Sequence, residues 1–429
     1  MEAQVRDRVS VLAGAGFRTV GLLEGGGVLR NPADGEPAVV PRMDDDGRTQ
    51  LGTGYDELTF DARVVARLGS DRRLTAALYG YRETDAPRTD QCPAAFAPWN
   101  ECLTYEEQFR TLASVAFDGD VGPAARALRL SLSYQRQHER RRLDRPSSHV
   151  ELTGVDDADT FGVVARARTG RWLPTGWLDL GLRYGTDLYV DQVSSSAWTR
   201  FSDVDVSAKS SRGLYVDGSW YVWWGAYAEA EARLPFGLLL RGGGRVAVMA
   251  AHAPGDEVSS SQPVDGVWLA PVGRGGLEWA PLDWLGFVLN VDQGVRAPNL
   301  DDLTSRQQTG PGFQFENAEL EPERSVTLET GIRVEWDRVR AQAFVFWTRL
   351  SSSIVRAPRT AAECPPESPG CASSWNRFQL VNAEAPSNVY GAELAALFRI
   401  PYGFGLRVTL AYAYGQGPNP GDPPTDPDI

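Results

Sequence analysis

The sequence predicts an all-β chain, the wall of a transmembrane, antiparallel, up-and-down β-barrel with about sixteen strands. Three observations predict it. Apolar and polar side chains alternate over long stretches, short turns alternate with long polar loops, and tryptophans cluster beside the short turns.

The alternation runs the length of the chain. Phe60, Ala62, Val64, Ala66 and Leu68 are interleaved with Asp61, Arg63 and Arg67. Leu128, Leu130, Leu132 and Tyr134 alternate with Arg129, Ser131, Ser133 and Gln135; Leu178, Leu180, Leu182 and Tyr184 alternate with Asp179, Gly181, Arg183 and Gly185. Val326, Leu328, Ile332 and Val334 face away from Thr327, Glu329, Arg333 and Glu335, and Leu406, Val408, Leu410, Tyr412 and Tyr414 close the series. In a strand each one-residue step flips the side chain to the other face, so one face is apolar and the other carries Arg, Asp and Glu. A soluble sandwich also alternates. The segments here, such as 124–137 and 338–349, exceed the roughly five or six residues of soluble strands and match the 9–11 of tilted membrane strands.

The connections follow the same logic. Short turns are expected at Gly69-Ser70-Asp71, 118–122, Pro281-Leu282-Asp283, Asp337 and Pro401-Tyr402-Gly403. Long loops are expected at roughly 29–56, 84–103, 139–157, 191–217, 252–264, 299–323 and 355–377. Trp172 and Trp177 bracket one short turn, Trp279 and Trp284 another, and Trp336 adjoins a third, the placement of an interfacial aromatic girdle.

Composition removes other classes. No apolar run approaches the ~18 residues of a spanning helix, and mean hydropathy is −0.31. A net charge of −13 gives no electrostatic affinity for nucleic acid. The only histidines, His138, His149 and His252, are scattered and form no nucleophile–base grouping, so neither an enzyme nor a resident metal or cofactor is expected. The acidic runs Asp44-Asp45-Asp46 and Asp156-Asp157/Asp159 lack calcium-loop spacing. Four cysteines fall in two close pairs, Cys92 with Cys102 and Cys364 with Cys371, without zinc-site spacing; they read as disulfides closing loops in an oxidising compartment.

Two boxes narrow the reading. Val295-Arg296-Ala297-Pro298 ends a strand and is followed by Asn299, Leu300 and Leu303. After a polar loop, Asn317-Ala318-Glu319-Leu320-Glu321-Pro322-Glu323 opens the next strand. Farther on, Gly391 and Glu393 sit in a Gly-x-Glu strand. These stretches resemble the barrel of TonB-dependent receptors, whose boxes read Phe-Arg-Ala-Pro and Asn-Pro-x-Leu-x-Pro-Glu; Ala318 departs from the usual proline. Physically, Pro298 lacks an N–H and forces Ala297 to be extended, so it ends sheet pairing, while Arg296 can reach a carboxylate such as Glu321 or Glu323.

The resemblance implies a Gram-negative outer-membrane receptor. It would take up a scarce solute, a ferric siderophore or similar small-molecule metal chelate, with energy delivered by the TonB complex through an N-terminal plug. A passive porin-like channel is the alternative. Arg136, His138, Arg140 and Arg141 read as a basic loop that could meet an anionic chelate or lipopolysaccharide phosphates. No segment reads as a leader or a plug, and a Pro/Asp-rich tail at 416–429 follows the barrel at 1–415. Against the 22 strands of the family, the expectation is an incomplete barrel, a fragment lacking plug and closing strands.

Overall fold

The computed structural model of the chain describes residues 2–6, 8–30, 34–37, 43–87, 102–145, 148–309, 312–364, 371 and 376–418. Sixteen strands build its wall: β1 (Glu2–Arg6), β2 (Val9–Val20), β3 (Tyr55–Arg67), β4 (Arg72–Pro87), β5 (Cys102–Gly119), β6 (Leu128–Arg145), β7 (Val150–Arg168) and β8 (Leu178–Phe201), then β9 (Ser219–Leu234), β10 (Leu238–Ala253), β11 (Val264–Leu282), β12 (Leu285–Arg296), β13 (Glu323–Trp336), β14 (Val339–Ser351), β15 (Ser387–Ile400) and β16 (Phe404–Gln416). Each pairs antiparallel with the next in chain order. The described strands make one curved up-and-down sheet whose β1 and β16 edges do not meet. The expected strand number is borne out. The chain beyond 418 lies outside the described residues.

Register fixes the faces. Val64, Ala76, Val115, Leu132, Val163, Leu188, Trp224, Val248 and Leu269 form one row across β3–β11. Most of its larger members are exposed, as a lipid-facing surface must be. The opposite face carries the row Arg183, Glu229, Gly243, Arg274, Asp292 and Thr327. In lipid every backbone polar group needs an internal partner, and the ladder supplies one along most of the length of the strands between its β1 and β16 edges.

Short turns join the strands at one end. Asp337 and Arg338 alone link β13 to β14, and Pro235, Phe236 and Gly237 link β9 to β10. At this end Trp172, Trp177 and Trp336 are exposed, and Trp284 packs on Trp336 at 4.9 Å between ring centroids. On β9, Trp224 lies ten residues from Leu234 at the turn. With about 3.3 Å rise and a tilt near 40°, that is a band of about 25 Å.

Two expected loops prove to be strand for much of their length. β6 continues to Arg145 and β7 starts at Val150, where a loop at 139–157 was expected; β8 reaches Phe201 within the expected 191–217 loop. Above the lipid band the sheet goes on pairing, but water wets both faces. The hydrophobic alternation that marks a strand therefore disappears while the hydrogen bonds persist.

Loops at the far end fold onto each other. Gly312–Phe315 runs parallel to Asn376–Asn382, which pairs antiparallel with Ile354–Arg359. Phe313 and Phe315 pack with Cys364 and Cys371, which are disulfide-bonded. The Cys92–Cys102 pairing lies outside the described residues through Cys92. Beneath this cap a short helix, α1 (Leu300–Thr304), presses Leu300 and Leu303 against Val193, Val216, Ala251, Ala253 and Val264 of the inner wall and a neighbouring loop. Removing such leucines from water contributes roughly 1.5–3 kcal/mol each.

Candidate functional site

The first sequence box builds the floor of the barrel mouth. β12 ends at Arg296; Pro298, fully buried, stops the ladder, and Asn299 caps α1. The Asn299 side chain accepts from the Asp302 N–H at 2.8 Å, and Asp302 accepts from the Asn299 N–H at 3.0 Å. Arg296 bridges Asp302 at 2.7 Å and also Glu323, whose other oxygen accepts the Ile354 N–H at 2.7 Å. One guanidinium thus ties β12, α1, β13 and the following loop together.

The second box is a brace. Asn317 donates to the Leu380 carbonyl at 2.9 Å, and Asn382 accepts the Glu321 N–H at 2.7 Å. Leu320 and Pro322 are buried, Leu320 in the core under the cap. Gly391 faces the lumen on β15, where a Cβ would run into the Phe346 ring and the Tyr412 carbonyl. Glu393 lies on the same inner face, exposed and paired in register with Phe344.

The basic segment is part of β6 and not a loop. Arg136, His138 and Arg140 share the outward face with Leu130 and Leu132, above the lipid band. Arg136 is bidentate to Asp159, with contacts of 2.9 and 2.7 Å; His138 hydrogen-bonds Asp157 at 2.9 Å and stacks on Phe109. Arg141 alone turns inward, between Glu139 at 3.8 Å and Asp156 at 3.6 Å. The four residues therefore do not converge. Of the acidic runs, Asp156 faces in while Asp157 and Asp159 face out, and Asp46 is occupied by a turn, accepting from Arg48 and Thr49.

What does converge is a cavity of about 630 Å³ between α1, the loop around Tyr215, and the inner wall of β4–β9. Tyr81, Gln108, Gln137, Thr160 and Tyr221 line the wall side; Tyr215, Asn299 and Asp301 close it from above. Asp301 is held above the ordinary carboxylate range by burial and by neighbouring Asp302, and burial beside Asp301 raises the Tyr215 hydroxyl. Sequence reasoning missed this site because its parts come from distant segments. The only signal was that Asp191 and Tyr221 occupy inward positions of their strands.

A second unforeseen cluster pins the cap. Arg306 chelates Glu316, with one contact at 2.6 Å, and Arg212 approaches the same carboxylate at 3.8 Å; all three side chains are at most 8% exposed. Arg212 also donates to Ser261 at 2.7 Å and to the Leu214 carbonyl at 2.7 Å. Burial outweighs the pull of Glu316 and draws Arg212 down to about 10. Deeper in the lumen, charges alternate across strands: Asp187–Arg245 at 2.7 Å, Arg241–Glu231 at 3.4 Å and Arg333–Glu278 at 3.4 Å.

A protein-family model described as "TonB dependent receptor-like, beta-barrel" matches residues 38–428. No curated protein matches the chain. Among solved structures, the copper transporter OprC aligns with a TM-score of 0.70 at 15% identity, over 95% of this chain and 57% of that one. A double mutant of the Serratia marcescens hemophore receptor HasR, in complex with its hemophore HasA and heme, aligns at 0.67 and 16%, over 96% and 60%. The siderophore receptor PirA from Pseudomonas aeruginosa aligns at 0.64 and 13%, over 96% and 61%. At these identities the likeness is one of fold, and the chain spans 57–61% of the length of these three.

Proposed function

The chain belongs to the TonB-dependent receptor β-barrel family, an outer-membrane family, and from that premise we propose that it forms the wall and mouth of a receptor for energy-coupled uptake of a small metal chelate. The observation that carries this reading is the cavity of about 630 Å³ at the mouth, of mixed polar and apolar lining and within the 300–1,000 Å³ typical of small-molecule sites. The neighbours named above carry copper, heme or siderophore in their names, which supports metal-bearing cargo. The braced cap and α1 over the lumen favour a gated receptor over a passive porin-like channel. The TonB complex, acting through a plug domain, is the proposed energy source, and no enzymatic step is assigned. We also propose that Arg136, His138 and Arg140, on the outer face, meet lipopolysaccharide phosphates, whereas Arg141 pairs with Glu139 and Asp156, which line the cavity.

The test is uptake by cells producing the receptor. Radiolabelled ferric chelates should accumulate only while the inner membrane is energised, and a protonophore should abolish accumulation. Passive sugar flux in a liposome-swelling assay, unaffected by energy, would instead establish the porin reading.

A further inference from the structure

Between its two edges the wall breaks at one joint, high on β11. This strand pairs with β10 along its whole length, from Val264 opposite Ala253 to Trp279 opposite Leu238. With β12 it pairs only from Arg274 downward, Arg274 lying opposite Asp292. Gln293 to Arg296 of β12 go on pairing with β13, up to Arg296 opposite Glu323. Residues 264–273 of β11 therefore have a strand on one side only. The chain after β12 turns into the lumen, where Ala297 packs with Ala247, Met249 and Ala270 of the inner face. On the outer face Val267 and Leu269 are 73% and 62% exposed, against 45% for Val246 on the fully paired β10.

Part of this seam lies in the apolar band. Leu269 shares a row with Trp224 at the top of the band, and the seam runs below it to Gly273. An unpaired N–H there has no water to meet. The sequence answers at two positions. The Gly273 N–H points toward β12 and donates to the Gln293 side chain at 2.9 Å, in place of a backbone carbonyl. Two residues on, strand alternation aims the backbone the same way at Pro271, which has no N–H to leave unpaired.

We propose that the wall parts along this seam, the upper end of β12 swinging against β10 and β11 with Gln293 as the latch. The inference concerns the wall and holds whatever cargo the mouth accepts, so it goes beyond the uptake reading. Elsewhere, separating two strands breaks a backbone hydrogen bond at every second residue and leaves both ends bare in lipid. Here it breaks one side-chain bond and slides Ala297 over a small apolar surface. Arg296 and Glu323 are paired, so they move together and carry the start of α1 with them. Arg212 holds the other end of α1 through the Thr304 carbonyl, which makes that end the pivot.

The experiment uses the receptor in lipid nanodiscs. Hydrogen exchange read by NMR compares the Gly273 amide with that of Gly275, which lies opposite Val291 where the strands are paired. Gly273 should exchange at least about tenfold faster, an opening easier by about 1.4 kcal/mol. Equal protection overturns the proposal without any variant. Distances between spin labels then test the motion, since no described cysteine is free to take a label. Val246→Cys with Arg349→Cys spans four strand steps across the seam. Val246→Cys with Leu130→Cys spans four steps of unbroken ladder. Electron–electron resonance should give two distances for the first pair and one for the second. Adding Gln293→Leu should raise the longer distance of the first pair and leave the second unchanged. A single distance across the seam in both backgrounds overturns the proposal. So does a second distance in the control pair, which would mean a wall that yields everywhere. If Gln293→Leu fails to fold, the exchange comparison decides alone.

Discussion

Single residues in the mouth have separable duties. Leu303 is fully buried under the cap, so Leu303→Ala should cost roughly 2–5 kcal/mol through lost transfer and a cavity. Urea titration of tryptophan fluorescence would measure it, and a cost below about 0.5 kcal/mol would show that α1 is not seated as described. Asp301 titrates above the ordinary carboxylate range because of burial and Asp302. The sign follows directly. The folded cap holds this proton more tightly than the unfolded chain does, a contribution present below the ordinary carboxylate pKa and lost as pH rises through the folded value. Lowering pH should therefore neutralise Asp301 ahead of ordinary carboxylates, which proton titration of the folded receptor would follow. Glu139, Asp156 and Asp191 share the cavity with it, and Arg141 pairs with the first two. In Asp301→Asn part of that early proton uptake should be lost, the rest belonging to Asp156 and Asp191, which burial also raises; an unchanged profile would assign all of it to them.

At the scale of elements, two contacts decide how strands and loops meet. A side chain at Gly391 would collide with Phe346 on the adjacent strand. Gly391→Val should slow barrel assembly and lower the temperature at which the folded electrophoretic band is lost; an unchanged transition would mean that β14 and β15 can spread without cost. The cap depends on Glu316, which pairs with two buried guanidiniums. Glu316→Gln should loosen the cap locally, by about 3–5 kcal/mol if both charges stay buried. Hydrogen exchange in 306–316 and 376–382 should then rise while the wall strands remain protected. Legibility also divides at this scale. The lipid-spanning parts of β3, β6, β8, β13 and β16 could be read from the sequence because lipid on one face and water on the other impose period two. The upper halves of β6–β8 could not, since both faces there are wet. The two boxes were visible as motifs, but their joint work through Arg296, Asp302, Glu323 and Asn382 was not. The cavity was invisible because Asp156, Asp191, Tyr215 and Asp301 are brought together by register and by the seating of α1, neither of which local pattern reports.

At the scale of the whole molecule, the wall is taller than the membrane is thick. β8 alone has 24 residues, against about ten needed for the apolar band. At about 3.3 Å per residue and a tilt near 40°, the surplus carries the tip of β8 roughly 35 Å above the lipid, well beyond the cavity at Asp191. That height makes one side of the wall a turret that stands clear of the apolar band. On the proposed receptor reading, a solute would meet this raised rim before it met the wall at the level of the lipid.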